Sequence, residues 1–322
     1  TEDRVNANLG RPMQWFSDSK NLLVKFIPDD RQALKDKEEM IPSGPRVSIN
    51  EGQKAQNRTY QDLLSDKADE YNFGQLVRSV IYKVDLQGNS SKWKETAMYR
   101  SISFSPDGNY ILITTIEKPF SYLVPYYRFP SQTVVYDKNA TQVKVIEEVP
   151  LTEELPKGFM AVRKGKRSIY WRSDKASALV FAVALDDGDP EKEVAYRDEV
   201  FTWETPFSDG PVSIIKTINR YGGISWGTDE VALAYDYWWN TRNTKTYVFN
   251  PSDPSKEPEI LFDRNYQDRY NDPGNPATRI NKYHRNVLAV DGDFIYLLGD
   301  GYSDEGIHPY VDKLNVESKE SE

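Results

Sequence analysis

The feature that most constrains the fold is a short pattern that occurs four times: an aromatic residue, an Asp three positions later, and then a run of apolar residues. The copies lie at 15–18, 104–107, 171–174 and 226–229, before apolar runs at 22–24, 111–113, 179–181 and 231–233. Ser, Pro, Asp and Gly between the two parts favour tight turns, because Asp bonds the backbone two residues on and Gly accepts positive φ. Each copy therefore predicts a β-hairpin in which the aromatic ends one strand and the apolar run begins the next.

Further strands are predicted after each hairpin. A third strand ending in Asp or Asn is predicted at 81–85, 134–137, 183–186 and 247–250, and a more polar fourth strand at 144–146, 193–195 and 259–261. A weaker fifth copy lies at 294–298 and 311–315. Four short antiparallel strands with a polar outermost strand are typical of a propeller blade. The sequence thus predicts an all-β fold, a β-propeller over residues 1–322 with about five recognisable four-stranded blades.

The blade count raises the question of how the ring closes, because a first and a last blade left open would expose apolar faces. The last of the five units is incomplete, so we expect either part of a larger ring, of seven or eight blades, or an atypically closed small ring. A solenoid of sandwich-like hairpins would give the same periodicity and stays open as an alternative. The first residue is Thr1, which indicates a processed or excised chain.

A large insertion at 26–79 differs from the rest of the sequence and is predicted to be partly helical. Residues 31–40 are rich in charges and favour a helix, and 59–62 has the pattern of a capping box. Such a box would open an amphipathic helix whose apolar face holds Tyr60, Leu63, Leu64 and Tyr71. The insertion is expected on one rim of the propeller, where added residues disturb the core least.

Composition excludes several classes of function. The net charge is −9 and no compact Lys/Arg cluster is present, so the attraction for phosphate backbones that drives nucleic-acid binding is missing. The longest apolar run, 178–185, is far shorter than the ~20 residues of a membrane span. The absence of Cys excludes disulfides, thiolate metal sites and a Cys nucleophile. We therefore predict no nucleic-acid partner, no membrane association, no metal and no cofactor.

One motif suggests an enzyme. Residues 223–227 match G-x-S-x-G, the nucleophile elbow of α/β-hydrolases, in which Ser225 would attack the substrate. The elbow requires a strand followed by a helix, whereas the residues after Ser225 alternate like a strand and align with the repeated turn. The two histidines, His284 and His308, follow Ser225 without any pattern of parallel strands and crossover helices between them. The repeat accounts for the motif, and we predict no catalytic residue in this chain.

Two other groups of residues invite a functional interpretation. Acidic clusters at 186–189, 291–293 and 300–304 could suggest calcium, but none follows the EF-hand pattern and each lies where a hairpin must turn. Turn formation is the favoured interpretation. Aromatic residues are densest at 125–129 and 235–239. Because neighbouring strand residues point to opposite faces, part of 237–239 is expected to line a channel or an interface, while most aromatics pack in the core.

Three segments go beyond the propeller pattern: 58–64, 118–125 with 128–130, and 268–274. Together they resemble the amino-terminal propeller of the glutamyl endopeptidase-like branch of the prolyl oligopeptidase family. The resemblance implies that a carboxy-terminal α/β-hydrolase domain, absent from this chain, carries the catalytic Ser, Asp and His. It also implies that the propeller gates and positions peptide substrates for that domain, in a protein that is periplasmic or secreted by a bacterium.

A preference for acidic peptides would need cations near the active site, because a desolvated carboxylate without a partner costs several kcal/mol. The candidates within the family-like segments are Lys118, Arg128 and Arg269. The alternative is that these residues form ion pairs across the seams between blades. A propeller that binds protein or carbohydrate partners without chemistry is the second functional hypothesis, and a hydrolase using Ser225 is the third.

Overall fold

The computed structural model describes residues 4–36 and 60–321. The chain separates into two compact units, Thr1–Leu155 and Pro156–Glu322. Both units are built almost entirely from antiparallel strands joined in sequence order. Within the described residues, no helix combines the length and the apolar composition needed to cross a membrane.

The described residues of the first unit form seven strands, one α-helix and one 3-10 turn. They are β1 (Met13–Trp15), β2 (Asn21–Phe26), α1 (Lys67–Val77), β3 (Ser79–Asp85), β4 (Ser90–Phe104), β5 (Tyr110–Ile116), the 3-10 turn (Tyr126–Arg128), β6 (Ser131–Asp137) and β7 (Gln142–Val149). The 15-residue β4 serves two sheets, since it pairs with β3 as far as Ala97 and with β5 from Met98 onward. Blade I is therefore β1 to β3 with residues 90–97, and blade II is residues 98–104 with β5 to β7.

The second unit contains two regular blades and one irregular blade. Blade III is β8 (Arg167–Trp171), β9 (Ala178–Ala184), β10 (Asp198–Glu204) and β11 (Val212–Thr217); blade IV is β12 (Arg220–Trp226), β13 (Ala232–Trp238), β14 (Asn243–Phe249) and β15 (Glu259–Asn265). The remaining strands are β16 (Asn275–Pro276), β17 (Thr278–Ile280), β18 (Asn286–Leu288), β19 (Val290–Asp291), β20 (Phe294–Gly299), β21 (Tyr302–Ser303), β22 (Gly306–Ile307) and β23 (Tyr310–Asn315). In blade V, β20 lies between β23 and the short strands β16 and β19. The predicted fifth copy is thus confirmed in β20 and β23, while the size of the ring stays a prediction.

The core of each unit is formed where apolar faces of neighbouring blades meet. In the first unit, Phe16 and Phe104 pack edge to face with ring centroids 5.0 Å apart, beside the buried Leu23, Ile81 and Ile111. In the second unit one cluster joins blades III and IV and another joins blades IV and V. Burying a side chain of this size contributes about 1.5–3 kcal/mol, which is why the apolar runs and the aromatics recur in each blade.

The repeated pattern forms the predicted hairpin turns. In the first copy, an Asp18 carboxylate oxygen accepts from the backbone N–H of Lys20 and of Asn21 at 2.9 and 3.0 Å. These bonds, of which that to Lys20 has the largest effect, lower the pKa of Asp18. The ring that anchors this turn is Phe16, which is buried, whereas Trp15 is more than half exposed.

Two predicted boundaries are wrong. In blade III the third and fourth strands are β10 and β11, and residues 193–195 are not a strand, because 185–197 forms a long connection held by buried charges described below. In the insertion, residues 31–36 and 60–66 are not helical, and α1 begins only after Asp66, whose side chain caps it by accepting from the N–H of Asp69 at 2.9 Å. Residues 37–40 and Thr59 lie outside the described residues. Tyr60 and Leu64, two residues of the predicted apolar face, nevertheless pack on an apolar cluster that includes Phe129.

Antiparallel order places the connections of each blade at two opposite ends. The motif end carries the repeated turns, which lie between the first and second strands, and the turns between the third and fourth strands. The loop end carries the connections between the second and third strands and the links from one blade to the next. Long connections at 27–78, 117–130 and 185–197 all belong to the loop end of their blade. Long connections are where propellers can add function without disturbing the sheets, so the loop end is where we look for a site.

Candidate functional site

The first unit holds a cavity of about 660 Å³ at its loop end, between α1, the middle of β4 and the end of β5. Its floor includes Ala97, Met98 and Ile116, and its charged lining residues are Lys35, Lys67, Glu70, Arg78, Glu117 and Lys118. Among the described lining residues, four cations face two carboxylates, so this part of the lining carries a positive excess although the whole chain has a net charge of −9. A positive cavity on an acidic molecule is a local preference for anions.

Two of the cavity cations are neutralised by neighbouring carboxylates. Lys67 pairs with Glu70 at 2.8 Å, and this hydrogen bond raises the pKa of Lys67 and lowers that of Glu70. Arg78 pairs with Asp30 at 2.6 Å. The Lys67–Glu70 pair lies along one helix face and positions both side chains, so neither is available to a ligand without breaking a contact.

The other two cations have no carboxylate within ion-pair distance among the described residues, although the charge of Lys118 contributes to the lowered pKa of Glu70. The Nζ atom of Lys118 lies 5.6 Å from the centroid of the Phe120 ring, and that of Lys35 lies 4.4 Å from the Tyr71 ring. Aromatic rings hold such cations by cation–π attraction and leave their N–H groups exposed. The predicted site residue Lys118 thus faces a cavity, and Lys35, which the sequence analysis did not single out, faces the same cavity.

Arg128, the second predicted site residue, is buried. It lies in the 3-10 turn of the same connection as Lys118, with its guanidinium carbon 5.1 Å from the centroid of the Tyr60 ring. A buried guanidinium stacked on a ring of the insertion holds the connection in place. The structure therefore gives Arg128 a packing position instead of one open to a ligand.

Arg269, the third predicted site residue, lies in the second unit just after β15. It is exposed, and its guanidinium stacks 5.4 Å from the centroid of the Tyr302 ring. For Lys118 and Arg269, the part of the chain that the structure describes contains no carboxylate within ion-pair distance. The alternative of ion pairs across blade seams is therefore not what these two residues form there.

Ser225 lies within β12, where it pairs with Leu233 of the following strand. Its hydroxyl accepts a hydrogen bond from the Tyr235 hydroxyl at 3.1 Å. His284 is in a tight turn with φ of 56°, closed by its N–H bonding to the Asn281 carbonyl at 3.0 Å. A serine inside a strand and held by a tyrosine lacks the strand-to-helix geometry of a nucleophile elbow, so G-x-S-x-G is blade sequence here.

Sequence reasoning missed a buried cluster of charges at the loop end of blades III and IV. It consists of Arg167, Arg197 and Arg220 with Asp186 and Asp198, and we call it the Arg–Asp cluster. Arg220 binds both carboxylate oxygens of Asp186, at 2.7 and 2.8 Å, and one of Asp198 at 3.2 Å. Arg197 adds a bond to Asp186 at 2.8 Å, and Arg167 pairs with Asp198.

The Arg–Asp cluster also explains the acidic segment 186–189. Asp186 turns the chain by accepting from Gly188 N–H at 3.0 Å, as predicted, but its buried carboxylate is mainly a partner for arginine. Among the described residues, no group of three or more Asp, Glu or His side chains converges as a metal site requires. The sequence signal that could have revealed the Arg–Asp cluster is that these arginines and aspartates all lie next to strand ends of the same two blades.

The aromatic segment 235–239 points to both faces, as predicted. Tyr235 and Trp238 are partly buried, with Arg197 stacked 4.2 Å from the Trp238 ring centroid, while Tyr237 and Trp239 are more than 40% exposed. Between them Asp236 is buried and accepts four hydrogen bonds, including one from the Tyr247 hydroxyl at 2.7 Å. Burial raises the pKa of Asp236 despite these bonds.

The chain was compared with known proteins. No family model matches it. A probable chloroplastic glutamyl endopeptidase of Oryza sativa subsp. japonica is 37% identical over 316 residues, and the protein of the same name from Arabidopsis thaliana is 36% identical over 314 residues. Over nearly its whole length, the chain is similar to these glutamyl endopeptidases. The resemblance inferred from three segments is thereby confirmed over 95% of the chain.

The chain spans about a third of the length of these relatives, 34% and 32% respectively. Among solved structures, the β-propeller domain of the trilobed protease of Pyrococcus furiosus is 11% identical, with a TM-score of 0.38, over 93% of this chain and 66% of that one. The acylaminoacyl peptidase of Pyrococcus horikoshii is 13% identical, with a TM-score of 0.38, over 73% of this chain and 33% of that one. These similarities are too low to support a conclusion about this chain, and its blades are identified from its own strand pairing.

Proposed function

We propose that this chain is the propeller part of a serine peptidase and that it admits and orients acidic peptides for a separate α/β-hydrolase domain. The observation that carries the proposal is the loop-end cavity of the first unit, whose Lys35 and Lys118 have no carboxylate within ion-pair distance among the described residues. The relatives are named glutamyl endopeptidases, and an acidic side chain is the ligand that two such lysines would attract. Localisation outside the bacterial cytoplasm remains part of the proposal.

In this proposal the chain contributes positioning, while bond cleavage takes place on the other domain. Holding a peptide by a side chain away from the scissile bond converts an encounter into an oriented complex, which raises the rate of attack. A narrow entry formed by long connections would exclude folded proteins. The lysine pair would favour Glu over Gln, because the neutral amide gains no charge attraction.

The test uses the full-length protein that carries this chain. Lys118→Met and Lys35→Met should each lower kcat/KM for a Glu-containing peptide by up to about fivefold, because an exposed charge pair contributes up to ~1 kcal/mol, while kcat/KM for the matching Gln peptide stays near its original value. Lys92→Met is the matched control, since Lys92 lies on β4 outside the cavity and pairs with Glu95 at 2.9 Å. An unchanged Glu-to-Gln ratio in both cavity variants would refute the proposed role.

A further inference from the structure

A second feature of the loop end lies in the second unit, at the hairpin that joins β13 to β14. Trp238 and Asn243 are the last paired residues, so 239–242 forms the turn, closed by the Arg242 N–H bonding to the Trp239 carbonyl at 3.3 Å. The Arg242 guanidinium carbon stacks 3.8 Å from the Trp239 ring centroid. Its Nη1 donates to the Trp239 carbonyl at 2.7 Å and to the Tyr266 hydroxyl at 3.4 Å. The guanidinium is therefore held in one orientation by a ring and two oxygens.

The backbone of Arg242 closes the turn in a conformation that favours Gly over a residue with a side chain. Its φ is 58°, in the left-handed region where side chains with a Cβ are disfavoured and Gly is preferred. A turn of this kind closes more easily with Gly, which needs no compensation for a side chain. The presence of arginine at a strained position suggests that the guanidinium itself has a role.

Two sides of the guanidinium are unused. Within the described residues, neither Nε nor Nη2 of Arg242 has an acceptor, and no carboxylate lies within ion-pair distance. A planar guanidinium with two free N–H groups on one edge matches the two oxygens of a carboxylate. A phosphate dianion would need a second cation to balance its charge, and none of the described contacts places one on this stack.

An exposed apolar surface lies on the same tryptophan. The ring of Phe159 packs against Trp239 with centroids 5.6 Å apart, and the side chains are 60% and 42% exposed. Exposed aromatic rings that contact each other offer a surface to one more apolar group. The neighbourhood thus combines one oriented cation with one apolar platform, which a carboxylate next to an apolar side chain would satisfy together.

The buried charges nearby do not compete for the same ligand. The Arg–Asp cluster pairs its own arginines with its own aspartates, and its Arg220 is 2% exposed. Arg197, which stacks on the other tryptophan of the hairpin, already bonds Asp186. Of the two arginines stacked on this tryptophan pair, Arg242 is the one that lacks a described carboxylate.

We propose that Arg242, stacked on Trp239 beside Phe159, is a carboxylate-binding subsite for peptides in which the carboxylate adjoins an apolar side chain. The inference rests on the proposed function in taking a peptide as the ligand, but it concerns a separate site in the other unit. The carboxylate can come from a Glu or Asp side chain or from the end of a peptide chain, and both present the same two oxygens.

The test measures binding to the 322-residue chain by tryptophan fluorescence and calorimetry, without any peptidase step. Three peptides that differ only in their carboxylates are compared: Glu-Phe with an amidated end, Gln-Phe with an amidated end, and Gln-Phe with a free carboxyl end. The first should bind at least about tenfold more tightly than the second, because a charge-assisted hydrogen bond is lost with the amide. Tight binding of the third would assign the site to chain ends, and weak binding would assign it to acidic side chains; equal binding of all three would overturn the proposal.

The decisive variant is Arg242→Gly, which removes the guanidinium and relieves the strained backbone. Its unfolding midpoint should stay the same or rise, while binding of the carboxylate peptide falls at least about tenfold, so loss of binding cannot be ascribed to misfolding. Arg242→Lys, which keeps the charge but loses the paired N–H edge, should bind with intermediate affinity. Lys175→Met, which removes a cation of the same unit that is already paired with Asp229 at 2.6 Å, should bind like the original chain.

Unchanged binding in Arg242→Gly would overturn this subsite and leave the proposed function intact, provided that the Lys118 and Lys35 variants still change the Glu-to-Gln ratio. The reverse result, normal kinetics in those lysine variants with lost binding in Arg242→Gly, would leave the subsite and refute the lysine cavity. Each proposal can therefore be refuted without refuting the other.

Discussion

Replacing Arg220 by Met should destabilise the second unit more than any surface substitution. The side chain is 2% exposed, and its guanidinium bonds Asp186 twice, Asp198 once and the Met160 carbonyl at 2.8 Å. Breaking a buried ion pair by removing one partner costs about 3–5 kcal/mol. The Arg–Asp cluster has three arginines and two aspartates, so each aspartate would still keep one arginine. We therefore expect a loss at the lower end, about 3 kcal/mol, to which the unpaired Met160 carbonyl adds ~1 kcal/mol.

The assay is urea unfolding of the 322-residue chain, followed by tryptophan fluorescence and by far-UV circular dichroism. Arg220→Lys keeps the charge but cannot bind Asp186 through two parallel bonds, so it should fall between the original and Arg220→Met. Lys92→Met removes an exposed pair with Glu95 and should leave the midpoint unchanged. A loss below about 1 kcal/mol in Arg220→Met would refute the view that the Arg–Asp cluster holds blades III and IV together.

Three further substitutions test single features of the fold by urea unfolding, and a fourth tests an activity. Lys25 is buried, and burial lowers its pKa. Lys25→Met should therefore raise the free energy of unfolding at pH 7, and this gain should shrink as the pH approaches 10.5, where the unfolded chain also loses the proton. A gain that grows with pH would contradict this. Burial raises the pKa of Asp236, so the original chain should lose stability relative to the Asp236→Asn variant as the pH rises above 3.8. A stability difference that does not change with pH would show that this carboxylate is not desolvated. Gly188→Ala should cost at least about 2 kcal/mol, because φ is +80° and the added Cβ would lie 2.0 Å from the Val162 carbonyl oxygen. Ser225→Ala should leave peptide hydrolysis by the full-length protein unchanged, and a loss of turnover at normal stability would restore Ser225 as a nucleophile.

The regular parts of the fold were predictable because they depend on local chemistry. Two local features can be recognised in the sequence wherever they recur: a turn in which Asp bonds the backbone N–H groups that follow it, and an apolar second strand such as β9. The third strand of blade III was misplaced because 183–186 looks like a strand ending in Asp, while Asp186 in fact pairs with arginines from other strands. Partners far apart in the chain leave no periodic signal.

The helical insertion shows the same limit. The capping box of 59–62 predicts the start of this helix, whereas α1 begins after Asp66. Asp66 caps α1 because its carboxylate reaches the Asp69 N–H, while Ser65 donates from its N–H to the Asp69 side chain at 2.9 Å. These reciprocal bonds satisfy donors that would otherwise be unpaired at the start of the helix, and they decide where it begins.

For the candidate site, the sequence supplied residue types and the structure supplied their accessibility. Lys118 and Arg128 were equivalent candidates, ten residues apart in one connection, yet one faces a cavity and the other is buried under Tyr60. Lys35 and Arg242 were not singled out, because neither belongs to a motif. Lys35 gains interest from facing the same cavity as Lys118, and Arg242 from stacking on a ring that the hairpin turn brings beside it.

The two ends of each blade therefore differ in what a substitution there can change. At the motif end, turns such as the one at Asp18 satisfy their own backbone groups, so they need no partner and can recur almost unaltered. At the loop end, the connections differ in length and their cations rest on rings: Lys35 on Tyr71, Lys118 on Phe120, Arg242 on Trp239. A ring fixes a cation without neutralising it, whereas a carboxylate would do both. That difference is the physical reason to expect ligand recognition at the loop end and only stability effects at the motif end.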